Sequence, residues 1–134
     1  ERVAYPGYEN NYTIYTNTAT DAVELKLWYT YTSYDTIGTA YAGVLYEAAG
    51  YILNGVKTQL TPDASVNLLP GVAYHGVLTL SLMAGDVYGF YVFSSDSLCG
   101  LSTISVSNVP LPAALPLFAA SLFGFGAISR KKRA

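Results

Sequence analysis

Residues 113–128 hold no charged side chain and nothing more polar than Ser121, and this stretch limits what the rest of the chain can fold into. Its apolar mass comes from Ala114, Leu115, Leu117, Phe118, Leu122, Phe123, Phe125 and Ile128. As a helix, its sixteen residues span roughly 24 Å at about 1.5 Å each. A hydrocarbon core is about 30 Å thick. Arg130, Lys131, Lys132 and Arg133 follow after Ser129. Their long side chains reach the headgroups by snorkelling, and local bilayer thinning takes up the remaining mismatch. Gly124 and Gly126 weaken a helix in water but are tolerated in a membrane. The basic end places Ala134 in the cytoplasm and the preceding residues outside. A buried helix or hairpin of a soluble domain is the competing reading. It fits poorly with the terminal position and four consecutive basic residues. The expectation is an extracellular domain over residues 1–108 and a tail over residues 109–134 carrying one transmembrane helix.

Immediately ahead of the apolar stretch stands Val109-Pro110-Leu111-Pro112-Ala113. The prolines favour an extended lead-in over helix. Motif, short helix and basic end, in this order, resemble the VPLPA variant of the PEP-CTERM sorting tails. The resemblance implies an exported surface protein of a Gram-negative bacterium that makes extracellular polysaccharide. It implies an exosortase-type membrane enzyme as partner, recognising the proline motif and cleaving nearby. The helix then acts as a temporary anchor in the inner membrane. The mature protein is released or transferred to the cell surface or matrix.

Residues 1–108 carry nine acidic side chains against Arg2, Lys26 and Lys57, so the formal charge of this part is −6 and that of the whole chain −2. An acidic domain lacks the basic footprint that nucleic-acid binding requires. All thirteen tyrosines lie in it, with abundant Thr, Ser and Gly, a composition suited to β-structure. Cys99 is the single cysteine, so no disulfide forms within the chain, and burial as a small apolar residue is its ordinary role. Export by the usual route needs a leader, so residues are expected before Glu1.

Strands are predicted where side chains alternate. Val23, Leu25, Leu27, Tyr29 and Tyr31 fall on one face of a strand running to Tyr34, with Glu24, Lys26, Thr30 and Thr32 on the other. Further strands are predicted over 12–16, around 50–53, and over 56–60, 73–83, 87–94 and 101–107. Leu78, Leu80, Leu82, Ile104 and Val106 are expected inward. Asn54-Gly55 predicts a type I′ hairpin turn, because both residues tolerate positive φ. Ala84-Gly85-Asp86 predicts another reversal, and 33–43 reads as a loop. Seven or eight short strands without an amphipathic helix predict an antiparallel β-sandwich with jelly-roll or Greek-key connections.

A second, looser resemblance spans Tyr29 to Asn108. It rests on Gly50-Tyr51-Ile52-Leu53-Asn54-Gly55, Gln59-Leu60-Thr61, Ala84-Gly85-Asp86, Gly89-Phe90, Ser95-Asp96, Gly100 and Ile104-Ser105-Val106-Ser107-Asn108. These are similar to small CUB-like bacterial exported domains, which often carry such tails. True CUB domains generally hold disulfides, from which this chain departs.

Catalytic groups are sparse. His75 is the single histidine, set in an alternating strand, and neither a Gly-x-Ser-x-Gly elbow nor a His-Glu-x-x-His helix occurs. A glycoside hydrolase on a jelly-roll scaffold would need two carboxylates facing a cleft. Asp35, Asp63, Asp86 and Asp96 fall in predicted turns, where Asp ordinarily caps the turn, and Glu47 alone falls in an apolar run. The chain therefore reads as non-enzymatic. Asp35, Asp86 and Asp96 would make a calcium site if their three loops met at one end of the sandwich; unrelated turn aspartates are the plainer reading. Trp28 interrupts a polar strand face. Packing under a second layer is the commoner fate of such a residue; an exposed platform for a sugar ring is the alternative, which would make the domain a carbohydrate-binding module.

Overall fold

The computed structural model describes residues 11–95 and 100–109. The strands are β1 (Asn11–Thr18), β2 (Val23–Ser33), β3 (Ala40–Tyr41), β4 (Val44–Leu45), β5 (Glu47–Leu53), β6 (Val56–Gln59), β7 (Ala73–Leu82), β8 (Val87–Ser94) and β9 (Ser102–Asn108). All pair antiparallel, and no helix occurs among the described residues. One sheet has the order β1-β8-β5-β6, a second β7-β2-β9, and β3 and β4 form a small ribbon.

The two larger sheets pack face to face, as in a β-sandwich. Leu27, Leu80 and Leu82 of the three-stranded sheet, with Ala19, meet Tyr51, Leu53, Tyr88 and Phe90 of the four-stranded one. The alternation read from β2 and β7 is the reason: their odd and even positions, respectively, turn inward. β8 carries aromatic residues at consecutive positions because it is covered on both faces. On its other side Ala48, Ile52, Tyr91 and Phe93 form a second apolar cluster with Tyr12 and Leu45 against it. Tyr12 meets the Tyr91 ring edge-on at 5.6 Å between centroids, and the Lys57 ammonium lies 4.9 Å over Tyr12.

The predicted turns at 54–55 and 84–86 form, and they interlock. Asn54 and Gly55 have φ of 48° and 82° and join β5 to β6. The Asn54 amide nitrogen donates to Asp86 Oδ1 at 2.9 Å, and its Oδ1 accepts from the Val87 N–H at 2.9 Å. Asp86 Oδ2 accepts from the Met83 N–H at 2.7 Å. The Asp86 carbonyl accepts from the Ala19 N–H at 2.8 Å, so the β1–β2 reversal joins the same knot. Within 33–43, read as a loop with room for a short extended piece, β3 forms and turns back into β4 through Ala42 and Gly43, at φ of 50° and 78°. Ala in the left-handed region is costly, so Ala-Gly gives no turn signal in a sequence.

The Met83 N–H and then the Asn54 side chain hold the Asp86 carboxyl below the usual carboxylate range. A depressed folded-state value means that this stabilisation is present above the unfolded value of about 3.9 and is lost as pH falls through the folded value. Asp86→Asn should therefore lower the melting temperature at pH 7, and the difference from wild type should shrink below about pH 4. Melts recorded between pH 7 and pH 2 check this; a pH-independent difference contradicts it.

Candidate functional site

Glu47 opens β5 and is buried at the interface of the sheets. Its Oε2 accepts hydrogen bonds from Ser33 Oγ of β2 and Ser102 Oγ of β9. Tyr31 Oη donates to Ser102 Oγ at 3.2 Å, and the Asp35 N–H donates to Ser33 Oγ at 3.1 Å. The result is a polar chain running from Tyr31 through Ser102, Glu47 and Ser33 to Asp35. It clasps the four-stranded sheet to two strands of the other. Burial, foremost, with the negative charges of Glu47 and Asp35, pushes the Tyr31 phenol well above the usual tyrosine range; hydrogen bonds with Ser102 and Ser33 oppose this. Tyr31 thus stays protonated and donates at any physiological pH. Sequence reading singled out Glu47 as the one carboxylate in an apolar run. Its partners, distant in sequence, gave no signal.

Asp35, also buried, accepts from the Ile37 N–H at 2.8 Å in an Asx turn. Asp63 makes the same kind of turn, accepting from the Ser65 N–H at 2.9 Å. Asp35 and Asp86 do not meet. Asp35 follows the end of β2 where Thr32 pairs with Ala73, whereas Asp86 follows the end of β7 where Leu82 pairs with Val23. The eleven residues of β2 separate them by roughly 30 Å at about 3.3 Å per residue. The calcium reading that joined Asp35, Asp86 and Asp96 is corrected accordingly: two of the three stand at opposite ends of the sheet, and Asp96 lies outside the described residues. Among the described residues no group of three or more His, Cys, Asp or Glu is placed to hold a metal ion.

Trp28 is 51 % exposed, so the packing reading is corrected. It stands mid-sheet on the outer face of β7-β2-β9, between Val77 and Ser107. The next row holds His75, Thr30 and Ser105, with Thr30 Oγ1 and His75 Nδ1 3.0 Å apart. Beyond them lie Thr32 and Thr103, and on the other side Lys26 and Thr79. A shallow depression of about 480 Å³ is lined by Trp28, Thr30, Ser105, Val106, Ser107 and Asn108. One aromatic face amid hydroxyls offers stacking plus hydrogen bonds.

A larger opening, about 790 Å³, lies between the sheets on the side of β1 and β9. Leu25, Leu27, Phe90, Ile104 and Val106 are among its walls. Sequence reading gave no hint of it, because it arises from which strands end up at the sheet edges.

Val109 is the one residue of the proline motif among those described. Its N–H donates to the Lys26 carbonyl at 2.9 Å, extending the β2–β9 ladder. Pro110, Leu111, Pro112, Ala113, the expected membrane helix and the basic cluster lie outside the described residues, as does Cys99. Among the described residues no helix is long and apolar enough to cross a membrane. No family model matches the chain, and no curated protein or solved structure is found to be similar to it.

Glu47→Ala should lower unfolding free energy by about 3 kcal/mol, because the buried Ser33 hydroxyl and the partly buried Ser102 hydroxyl lose their acceptor. Glu47→Gln, which keeps one carbonyl oxygen, should cost less. Urea unfolding of both variants measures this, and an unchanged midpoint for Glu47→Ala would remove the clasp from the account.

Proposed function

We propose that the chain is a non-enzymatic, exported surface or matrix protein, held in the inner membrane by its tail and processed by an exosortase-type enzyme. The proposal extends to a CUB-like or jelly-roll sandwich acting with extracellular polysaccharide. The observation that carries it is the three-part tail: proline motif, uncharged stretch and four terminal cations. The hydrogen bond from Val109 to Lys26 adds a spatial argument. The sheet runs into the motif itself, so only Pro110 to Ala113 separate it from the expected helix. At about 3.3 Å per extended residue the domain would stand within roughly 15 Å of the membrane surface. Mass spectrometry of the mature protein tests the route. A new carboxyl terminus near Pro112 is expected, and a mature protein still ending at Ala134 refutes processing.

A second reading, a carbohydrate-binding module, is favoured by one observation, the exposed Trp28 on its hydroxyl-rich face. The chain has one Trp, so its fluorescence reports directly on that face. Titration with purified exopolysaccharide should shift the emission, and Trp28→Ala should weaken retention roughly tenfold, the loss of one stacking contact. Unchanged emission and retention dispose of this reading.

A further inference from the structure

The knot of Asn54 and Asp86 rests on a chemically labile residue. Of the six asparagines in the chain, Asn54 alone is followed by glycine. An asparagine side chain is an amide electrophile, and the backbone nitrogen of the next residue is a nucleophile within reach of it. A side chain on that next residue obstructs the approach; Gly55 has none. Asn54 and Gly55 are both exposed, and a Cβ added at Gly55 would meet nothing within 4 Å, so water reaches the pair freely. Asparagine counts among the thermolabile residues because of this chemistry.

The fold holds the two reacting atoms apart. The Asn54 backbone N–H donates to the Val87 carbonyl at 2.7 Å. Its Oδ1 accepts from the Val87 N–H and its Nδ2 donates to Asp86 Oδ1, each at 2.9 Å. Ring closure requires Cγ to swing onto the Gly55 nitrogen, which breaks both side-chain bonds. Leu53 pairs with Val56 across the turn and keeps its backbone at φ of 48° and 82°. The reaction therefore waits on an opening of the knot.

We propose that Asn54 is a site of spontaneous deamidation that the knot holds in check, and that the product keeps the knot from closing again. The Gly55 nitrogen bonds to Asn54 Cγ and gives up its proton, the Cγ–Nδ2 bond breaks, and ammonia leaves. Water, the one co-reactant, then opens the five-membered imide at either carbonyl. One opening gives an aspartate, the other an isoaspartate whose backbone runs through the former side chain. In the aspartate a carboxylate stands where Nδ2 donated to Asp86 Oδ1. Two anions at hydrogen-bond distance with no donor between them repel. In the isoaspartate one extra backbone carbon enters a two-residue hairpin loop, whose length sets the register of β5 and β6. Asp86 also accepts from the Met83 N–H and, through its carbonyl, from the Ala19 N–H, so the disturbance reaches all three reversals. A transient opening of the rim is thereby made permanent. The inference is independent of the sorting route and of Trp28.

Peptide mapping of the full-length chain after incubation at mildly alkaline pH tests the first half. Aspartate and isoaspartate should accumulate at position 54, about tenfold or more slowly in the folded chain than in the same chain unfolded in urea. Asp86→Ala should speed the reaction in the folded chain and leave the rate in urea unchanged. Equal rates for folded and unfolded wild type overturn the proposal. So does an absence of product at position 54 in both, or an unchanged rate in folded Asp86→Ala. Melting tests the second half. Asn54→Asp, the mimic of one product, should lower the melting temperature by about 4 °C or more. Adding Asp86→Asn should restore most of that loss, because the new amide then donates to the new carboxylate. A mimic that melts with wild type, or a double variant no more stable than Asn54→Asp alone, overturns the proposal as well. If Asp86→Ala fails to fold, the folded and unfolded wild-type rates and the double variant still decide.

Discussion

The sandwich depends on a buried carboxylate shared between its layers. Apolar packing between two sheets is non-directional and permits sliding and rotation. Glu47 removes that freedom. Its Oε2 accepts hydrogen bonds from β2 and β9 at once, through the Ser33 and Ser102 hydroxyls. Both donors form a single pair of the same ladder, since Ser33 lies opposite Ser102. Sliding either strand by one residue would reverse its faces and withdraw the hydroxyl from the acceptor. The clasp therefore fixes register within the three-stranded sheet and alignment between sheets. Tyr31 and Asp35 complete it by bonding the outer ends of the two serines, which leaves the polar chain satisfied at each described step.

At the far end of the same strands a different device does similar work. Asn54 and Asp86 fasten three chain reversals near solvent, through one bond between their side chains, side-chain bonds to the Met83 and Val87 N–H groups, and the Asp86 carbonyl's bond from the Ala19 N–H. The buried clasp and the exposed knot stand about the length of β2 apart. Between them the core is apolar. This division follows from cost. A polar network in the interior needs every partner in place, whereas turn residues at the rim can be completed by water.

Local patterns were legible in the sequence because local physics writes them. The period of two in β2 and β7 and the left-handed Asn54-Gly55 turn need no distant partner to be read. The aspartates in turns were legible for the same reason: Asx geometry involves residues two positions apart, as Asp35 with Ile37 and Asp63 with Ser65 show. Long-range relations were not legible. Strand β1 pairs with β8, and Ser102 reaches Glu47 across 55 positions, neither of which any window of sequence encodes. Trp28 was misjudged because a tryptophan on a polar face is consistent with either layer or solvent until the number of layers is known. The pairing of β3 with β4 was not legible because Ala42 adopts a turn conformation that its chemistry disfavours. The groove was invisible since it is a property of strand count, four against three, and not of any residue.

That mismatch in strand count also bears on how β9 serves the molecule. Edge strands are hazards, since an unpaired backbone invites indiscriminate pairing, and chains usually blunt them with charge, proline or a bulge. β9 carries none of these over Ser102 to Asn108; its outward positions are Thr103, Ser105 and Ser107, and the first proline comes at Pro110. Among the described residues β9 pairs with β2 alone, so its outer backbone edge stays open. The same strand leads through Val109 into the proline motif, and the last ladder bond, to Lys26, falls just before the backbone loses its donor at Pro110. The open edge and the lead-in to the tail are thus two consequences of one arrangement, a single edge strand at the limit of the smaller sheet.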